Sequence, residues 1–147
     1  MAGQTCTADF SDLDGLLKDL ELATHDVARV MPIIAEAMVS QVLEVFDKEG
    51  AVGGAPQWPD LAASTKRRRR ASTTHKILQD TTNLIGSITP DSGDRFVEAF
   101  TGVPYAVYHI SKAPRRVIPL RDFFAIDQDE FAAEAADIIV AVLMGRI

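Results

Sequence analysis

Ten residues near the middle of the chain limit what it can fold into. Positions 50–59 read Gly-Ala-Val-Gly-Gly-Ala-Pro-Gln-Trp-Pro, and glycines and prolines packed this closely forbid a regular helix or strand. The segment before them has the periodicity of helices, and the segment after them alternates as strands do. The chain therefore reads as α+β.

Before the break, Leu13, Leu16, Leu17 and Leu20 recur at helical spacing in 12–30, with Ser11 or Asp12 able to cap the first turn. Pro32 lacks an N–H and suits a first helical turn, so Met31-Pro32 is expected to open a second helix rather than kink one long one. That second helix, 32–48, carries Ile34, Met38, Val42, Val45 and Phe46 as a core-facing stripe. Gly50 is its expected C-terminal cap, since glycine takes the left-handed conformation without penalty.

After the break, 50–76 is expected to be one long loop, anchored by burial of Trp58 and interrupted by a short helical turn that Ser64 or Thr65 caps. The alternation in 84–89 and 95–101, joined by the turn chemistry of Pro90-Asp91-Ser92-Gly93-Asp94, predicts a hairpin. Residues 105–110 suit either a short helix or a strand, and 117–120 suit a third strand. Asp127 or Asp129 opens a last helix to about position 144, burying Phe131, Ala135, Ile138, Ile139, Val142 and Leu143. The expected architecture is a single domain over 1–147, with 1–10 flexible. It has two N-terminal helices, a small mostly antiparallel sheet with a long basic loop, and a C-terminal helix. Cys6, near the expected flexible end, is the one cysteine and is read as an incidental thiol.

Charge is distributed unevenly. The net charge is −6, yet five of the fifteen basic residues are Lys66, Arg67, Arg68, Arg69 and Arg70. Outside that run, ten basic residues face twenty-one acidic ones, a balance of −11. Five adjacent cations repel one another and are expected to stay extended, suited to a phosphate backbone or an acidic protein surface. Arg115 and Arg116 form a second basic point. These seven residues are the candidate partner or DNA contacts, with Trp58 as the loop anchor.

Candidates for chemistry are few. His25, His75 and His109 lack metal spacing to other ligands, and no serine or threonine in 72–74 has an evident activating base. Positions 50–54 lack the lysine and helix of a phosphate loop. No enzyme, cofactor or metal is read from the sequence. No apolar run reaches the roughly 20 residues of a membrane span, so a soluble protein made in the cytoplasm is expected, with no membrane partner.

The order of the short signals resembles the phage virion morphogenesis family, the Mu-like tail-completion and head–tail joining proteins. The resemblance rests on Pro32 between helices, Trp58-Pro59-Asp60-Leu61 with Thr65, and then a basic stretch. It continues through Leu78, Thr81, Leu84, Ser87 and Ile88, then Pro104-Tyr105-Ala106 with His109, and Ile118-Pro119 with Arg121 and Phe123. Thr82 stands where the family usually has glycine. The resemblance implies a structural virion protein of the tail or neck. It also implies a homo-oligomeric ring, six-fold by likeness to tail-tube symmetry, that meets tail-tube, connector or neck proteins, with packaged DNA as a further candidate contact. The alternative reading is a small DNA-binding protein that uses residues 66–70 as a phosphate clamp.

Overall fold

The computed structural model describes residues 4–7, 24–69, 76–112 and 117–147. Its elements are β1 (Gln4–Thr7), α1 (Thr24–Asp47), α2 (Ala63–Arg68), β2 (Ile88–Ser92), β3 (Val97–Thr101), α3 (Val107–Ile110) and α4 (Gln128–Leu143), with 3-10 turns at Ile85–Ser87 and Pro104–Ala106. The fold is α+β: a three-stranded antiparallel sheet of order β1-β3-β2 packs on α1, and α4 packs on α1 as well.

The central helix is the core. Ile34, Met38, Val42, Val45 and Phe46 are all essentially inaccessible to solvent. The expected break at Pro32 does not occur, because α1 continues through it. Proline inside a helix costs about 3 kcal/mol through its missing N–H and ring clash. Here Ala28, Arg29 and Pro32 face solvent, where water can satisfy the freed carbonyl, while Val30, Met31, Ile34 and Ala35 are buried on either side. Burial of that stripe outweighs the local penalty. The rest of the first expected helix, 12–23, lies outside the described residues.

The C-terminal end of α1 differs in detail from the expected glycine cap. The Gly50 N–H donates to the Val45 carbonyl (2.9 Å) and the Glu49 N–H to that of Phe46 (3.3 Å), the bond pair of a Schellman motif. The residue in the left-handed position is Glu49 (φ 51°), and Gly50 follows at φ 89°. At the start of α4, the Asp127 carboxylate accepts from the Asp129 and Glu130 N–H groups (3.0 and 3.1 Å). Phe131, Ala135 and Ile139 are buried on this helix, whereas Leu143 is 39% exposed rather than in the core.

The hairpin forms, but its first strand begins at Ile88, because Ile85–Ser87 closes into a 3-10 turn. Pro90 sits on the edge strand β2, where a missing N–H is tolerated. Val97, Ala99 and Thr101 point into the core, while Phe96 is half exposed. The third strand is not 117–120, which is irregular, but β1, paired with β3 through Cys6↔Ala99. Pro119 has no N–H to give a ladder, and Arg121 turns inward. Cys6 is thus a buried residue. Its thiol donates to the Phe124 carbonyl (3.2 Å), and burial, with Asp122 nearby, pushes its pKa up to about 11.

Candidate functional site: a cleft where the ordered motifs meet

The scattered segments of the sequence meet at one end of α1. Trp58 is buried with its indole edge-on to Phe46 (ring centroids 5.8 Å), and Phe46 also packs against Phe123 (5.2 Å). The indole lies directly over Gly50, where any β-carbon would overlap Cδ1 and Nε1 of the ring. Glycine is therefore required at 50 for this close approach as well as for its positive φ.

Glu49 holds the surrounding loops. Its carbonyl accepts from the Trp58 N–H (2.7 Å), and its carboxylate accepts from the Ile77 N–H (2.7 Å) and the Gln57 side-chain amide (3.3 Å). Gln79 adds a bond to the Phe46 carbonyl (3.1 Å) from a buried position. These two polar residues carry no periodic signal, since their roles appear only when distant loops meet.

Arg121, named in the last motif but given no structural role by the sequence, is the third such residue. It is 6% exposed, and its guanidinium donates to the Pro59 carbonyl (2.8 and 3.3 Å) and the Asp60 carbonyl (3.3 Å), while its N–H donates to the His109 carbonyl (2.9 Å). One arginine thus ties the Trp58 loop to the 117–124 segment and to α3. Burial and the neighbouring Arg69 charge lower its pKa from the usual guanidinium value, and Asp60 partly opposes them.

The basic run divides into unlike parts. Lys66, Arg67 and Arg68 are helical in α2, so the run is not extended as expected. A backbone hydrogen bond from Lys66 N–H to the Ala62 carbonyl starts the helix; Ser64 and Thr65 lie inside it and do not cap it. Lys66 bonds the Asp60 carboxylate (2.5 Å), which holds that carboxyl below its usual pKa range. The Arg69 side chain is only 6% exposed; it donates to the Lys76 carbonyl (2.8 Å) and stands 3.9 Å from Asp80. Arg67 and Arg68 remain as exposed cations on α2. Arg70, Arg115 and Arg116 lie outside the described residues, as do His75 and Ser72 to Thr74.

Between these parts opens a cleft of about 650 Å³. Its wall takes Asp60 and Leu61 from the Trp58 loop, Arg68 and Arg69 from the basic run, and Leu78, Asp80 and Leu84 from the stretch before the hairpin. Tyr105 and His109 come from the turn into α3, and Ile118, Pro119 and Arg121 from the last motif. The Trp58 motif and those at 78–84, 105–109 and 118–121 all reach this one surface. Residues 105–110, ambiguous in sequence, are a 3-10 turn and a short helix, with the Tyr105 ring edge-on to His109 (6.5 Å). The rim is apolar as well as basic, with Val117 89% and Ile118 40% exposed. Among the described residues, no His, Cys, Asp and Glu cluster could hold a metal ion, and no helix is long and apolar enough to cross a membrane.

A fold with one central helix on a small sheet and a contact cleft built of loops defines a class by its motifs, and those motifs have a match. The phage virion morphogenesis family matches residues 8–131, and the chain belongs to that family. The family is structural rather than catalytic, which gives the chain a role in phage virion assembly. No curated protein and no solved structure gives a significant match to it.

Proposed function

We propose that this chain is a ring-forming component at the end of a phage tail, closing the tail or joining it to the head–tail connector. The observation that carries the proposal is the convergence of the family's segments on one cleft whose rim stays exposed. Val117, Ile118 and Tyr105 place large apolar surfaces in solvent on the cleft that Arg68 of α2 also lines, and mixed patches of this kind suit contact with other proteins. Tail-tube, connector or neck proteins are the partners, six-fold symmetry is favoured by resemblance, and the part played is scaffold rather than catalyst. Infection with a phage lacking this gene tests the reading. The expected result by electron microscopy is unjoined heads and tails; infectious joined particles would overturn it.

A DNA clamp is the weaker reading. Lys66 is paired with Asp60 and Arg69 is buried, leaving Arg67 and Arg68 as the outward cations of the described run. Two phosphate contacts give a shallow salt dependence, and the acidic remainder repels duplex DNA within a screening length of about 8 Å. A gel-shift titration that found tight, strongly salt-sensitive binding lost in Arg67→Ala/Arg68→Ala would restore it.

A further inference from the structure

Two exposed surfaces on different elements complement each other. One is the outward face of α4. Away from buried Phe131, Ala135 and Ile139, this helix turns Glu130 and Asp137 to solvent, with Glu134 exposed on the flank nearer α1, followed toward its C-terminal end by Val140 and Met144. At 1.5 Å per residue the stripe spans about 21 Å. Within the molecule, Glu134 accepts one bond from Gln41 (2.7 Å), and Glu130 lies within electrostatic reach of Lys48, which is itself paired with Glu44 (2.5 Å). The other surface is the cleft, with Arg68 of α2 on one rim, Arg67 exposed beside it on the same helix, and Val117 and Ile118 on another rim.

We propose that the α4 face of one subunit seats in the cleft of the next, its acidic half against Arg67 and Arg68 and its apolar half against Val117 and Ile118. This rests on the ring reading above and names the two faces that such a ring requires. A head-to-tail contact joins unlike surfaces, so each subunit must carry both, and this chain does. The cleft's own carboxylates, Asp60 and Asp80, face Lys66 and Arg69 (2.5 and 3.9 Å), so Arg67 and Arg68 are left to meet the acidic end of a helix while Val117 and Ile118 meet its apolar end. Charge complementarity favours a second copy over a nucleic acid, because the proposed contact uses the cleft and the acidic stripe together, whereas DNA would use the cations and leave the stripe repelling it. One helix in one cleft is a small interface and weak alone. Ring closure makes the last contact intramolecular and strengthens the whole without adding new surfaces.

The test uses the full chain with two sets of exposed charge reversals, Arg67→Glu/Arg68→Glu in the cleft and Glu130→Lys/Asp137→Lys on the stripe. Circular dichroism checks that each folds, and sedimentation velocity with native mass spectrometry reads association. Wild type is expected to associate more strongly at low salt, and each variant to weaken association more than tenfold. Mixing the variants is expected to restore assemblies containing equal numbers of each, since each reversed face then meets its complement. Variants that assemble as wild type does would overturn this pairing while leaving the ring reading intact. A mixture that stays dissociated would overturn it too. A symmetric reconstruction of the particle separates the two ideas: a ring of this chain built on other contacts removes only the pairing, and no ring at all removes both.

Discussion

The connection after α1 holds two regions of opposite physical character. Residues 49–60 have no regular structure yet are fixed: Trp58 is buried, Glu49 bonds two loops, and Arg121 reaches across to two carbonyls. Residues 63–68 form a regular helix yet have no buried residue and no side-chain cap. Regularity is thus a poor guide to rigidity here. Tertiary contacts fix the first region, whereas the second is a six-residue helix too short to be stable by propensity alone.

The comparison breaks first at Gly50. In Gly50→Ala, the new β-carbon must displace the Trp58 indole at a backbone φ that alanine disfavours. Overpacking and strain together are expected to cost about 3 kcal/mol, read as a lower denaturant midpoint. Trp58→Ala is expected to cost a similar ~3 kcal/mol by emptying its site against Phe46. The pair is coupled: once the indole is gone, Gly50→Ala retains only its backbone strain, about 1–2 kcal/mol. Additive costs in the double variant would show that the ring and the glycine do not meet.

Arg121 is next. Arg121→Met keeps the length and loses the bonds to the Pro59 and Asp60 carbonyls. Pro59 and Asp60 are exposed, so water can replace the donor, and about 1–2 kcal/mol is expected. The distinguishing readout is local: amide exchange should accelerate at 60–62 while the α1 interior changes less. Unchanged exchange there would show that Arg121 does not hold the loop.

What the sequence makes legible follows from the range of the forces involved. The α1 stripe, the hairpin and the start of α4 depend on periodicity and on caps within three residues, and each can be read locally. The inward turn of Arg121 and the clamp of Glu49 depend on loops dozens of residues away, and the burial of Arg69 on the stretch from Lys76 to Asp80, and no periodic pattern announces any of them. β1 is missed for a related reason. Four residues with a single apolar position, Cys6, form a strand only because β3 offers an edge. Charge alone marks residues 66–70 as contacts, and charge does not distinguish the buried Arg69 side chain from the outward Arg67 and Arg68.

A smaller effect sharpens the comparison by testing strain away from both regions. Thr82 is β-branched yet sits at φ 57°, in the left-handed region. That conformation costs a residue with a β-carbon about 1–2 kcal/mol, against the roughly 0.5–1 kcal/mol of extra chain entropy a glycine loses on folding. Thr82→Gly is therefore expected to stabilise the fold by up to about 1 kcal/mol, despite loss of the exposed bond to the Thr81 carbonyl. A lower melting temperature would show that the side chain contributes more than its strain costs.

The smallest expected effect on stability lies in α2. Arg67 and Arg68 are exposed on a helix with no buried residue, and alanine is the better helix former. Arg67→Ala/Arg68→Ala should therefore change unfolding free energy by no more than about 0.5 kcal/mol. The same double change should sharply lower assembly, because charges that do little for the fold remain available to a neighbour. That separation is what distinguishes the two regions: Gly50→Ala loses assembly by losing the fold, whereas the arginine pair loses assembly with the fold intact. If chemical denaturation showed the arginine variant destabilised by 2 kcal/mol or more, α2 would belong to the fixed part of the connection, and its charges would serve the fold before any partner.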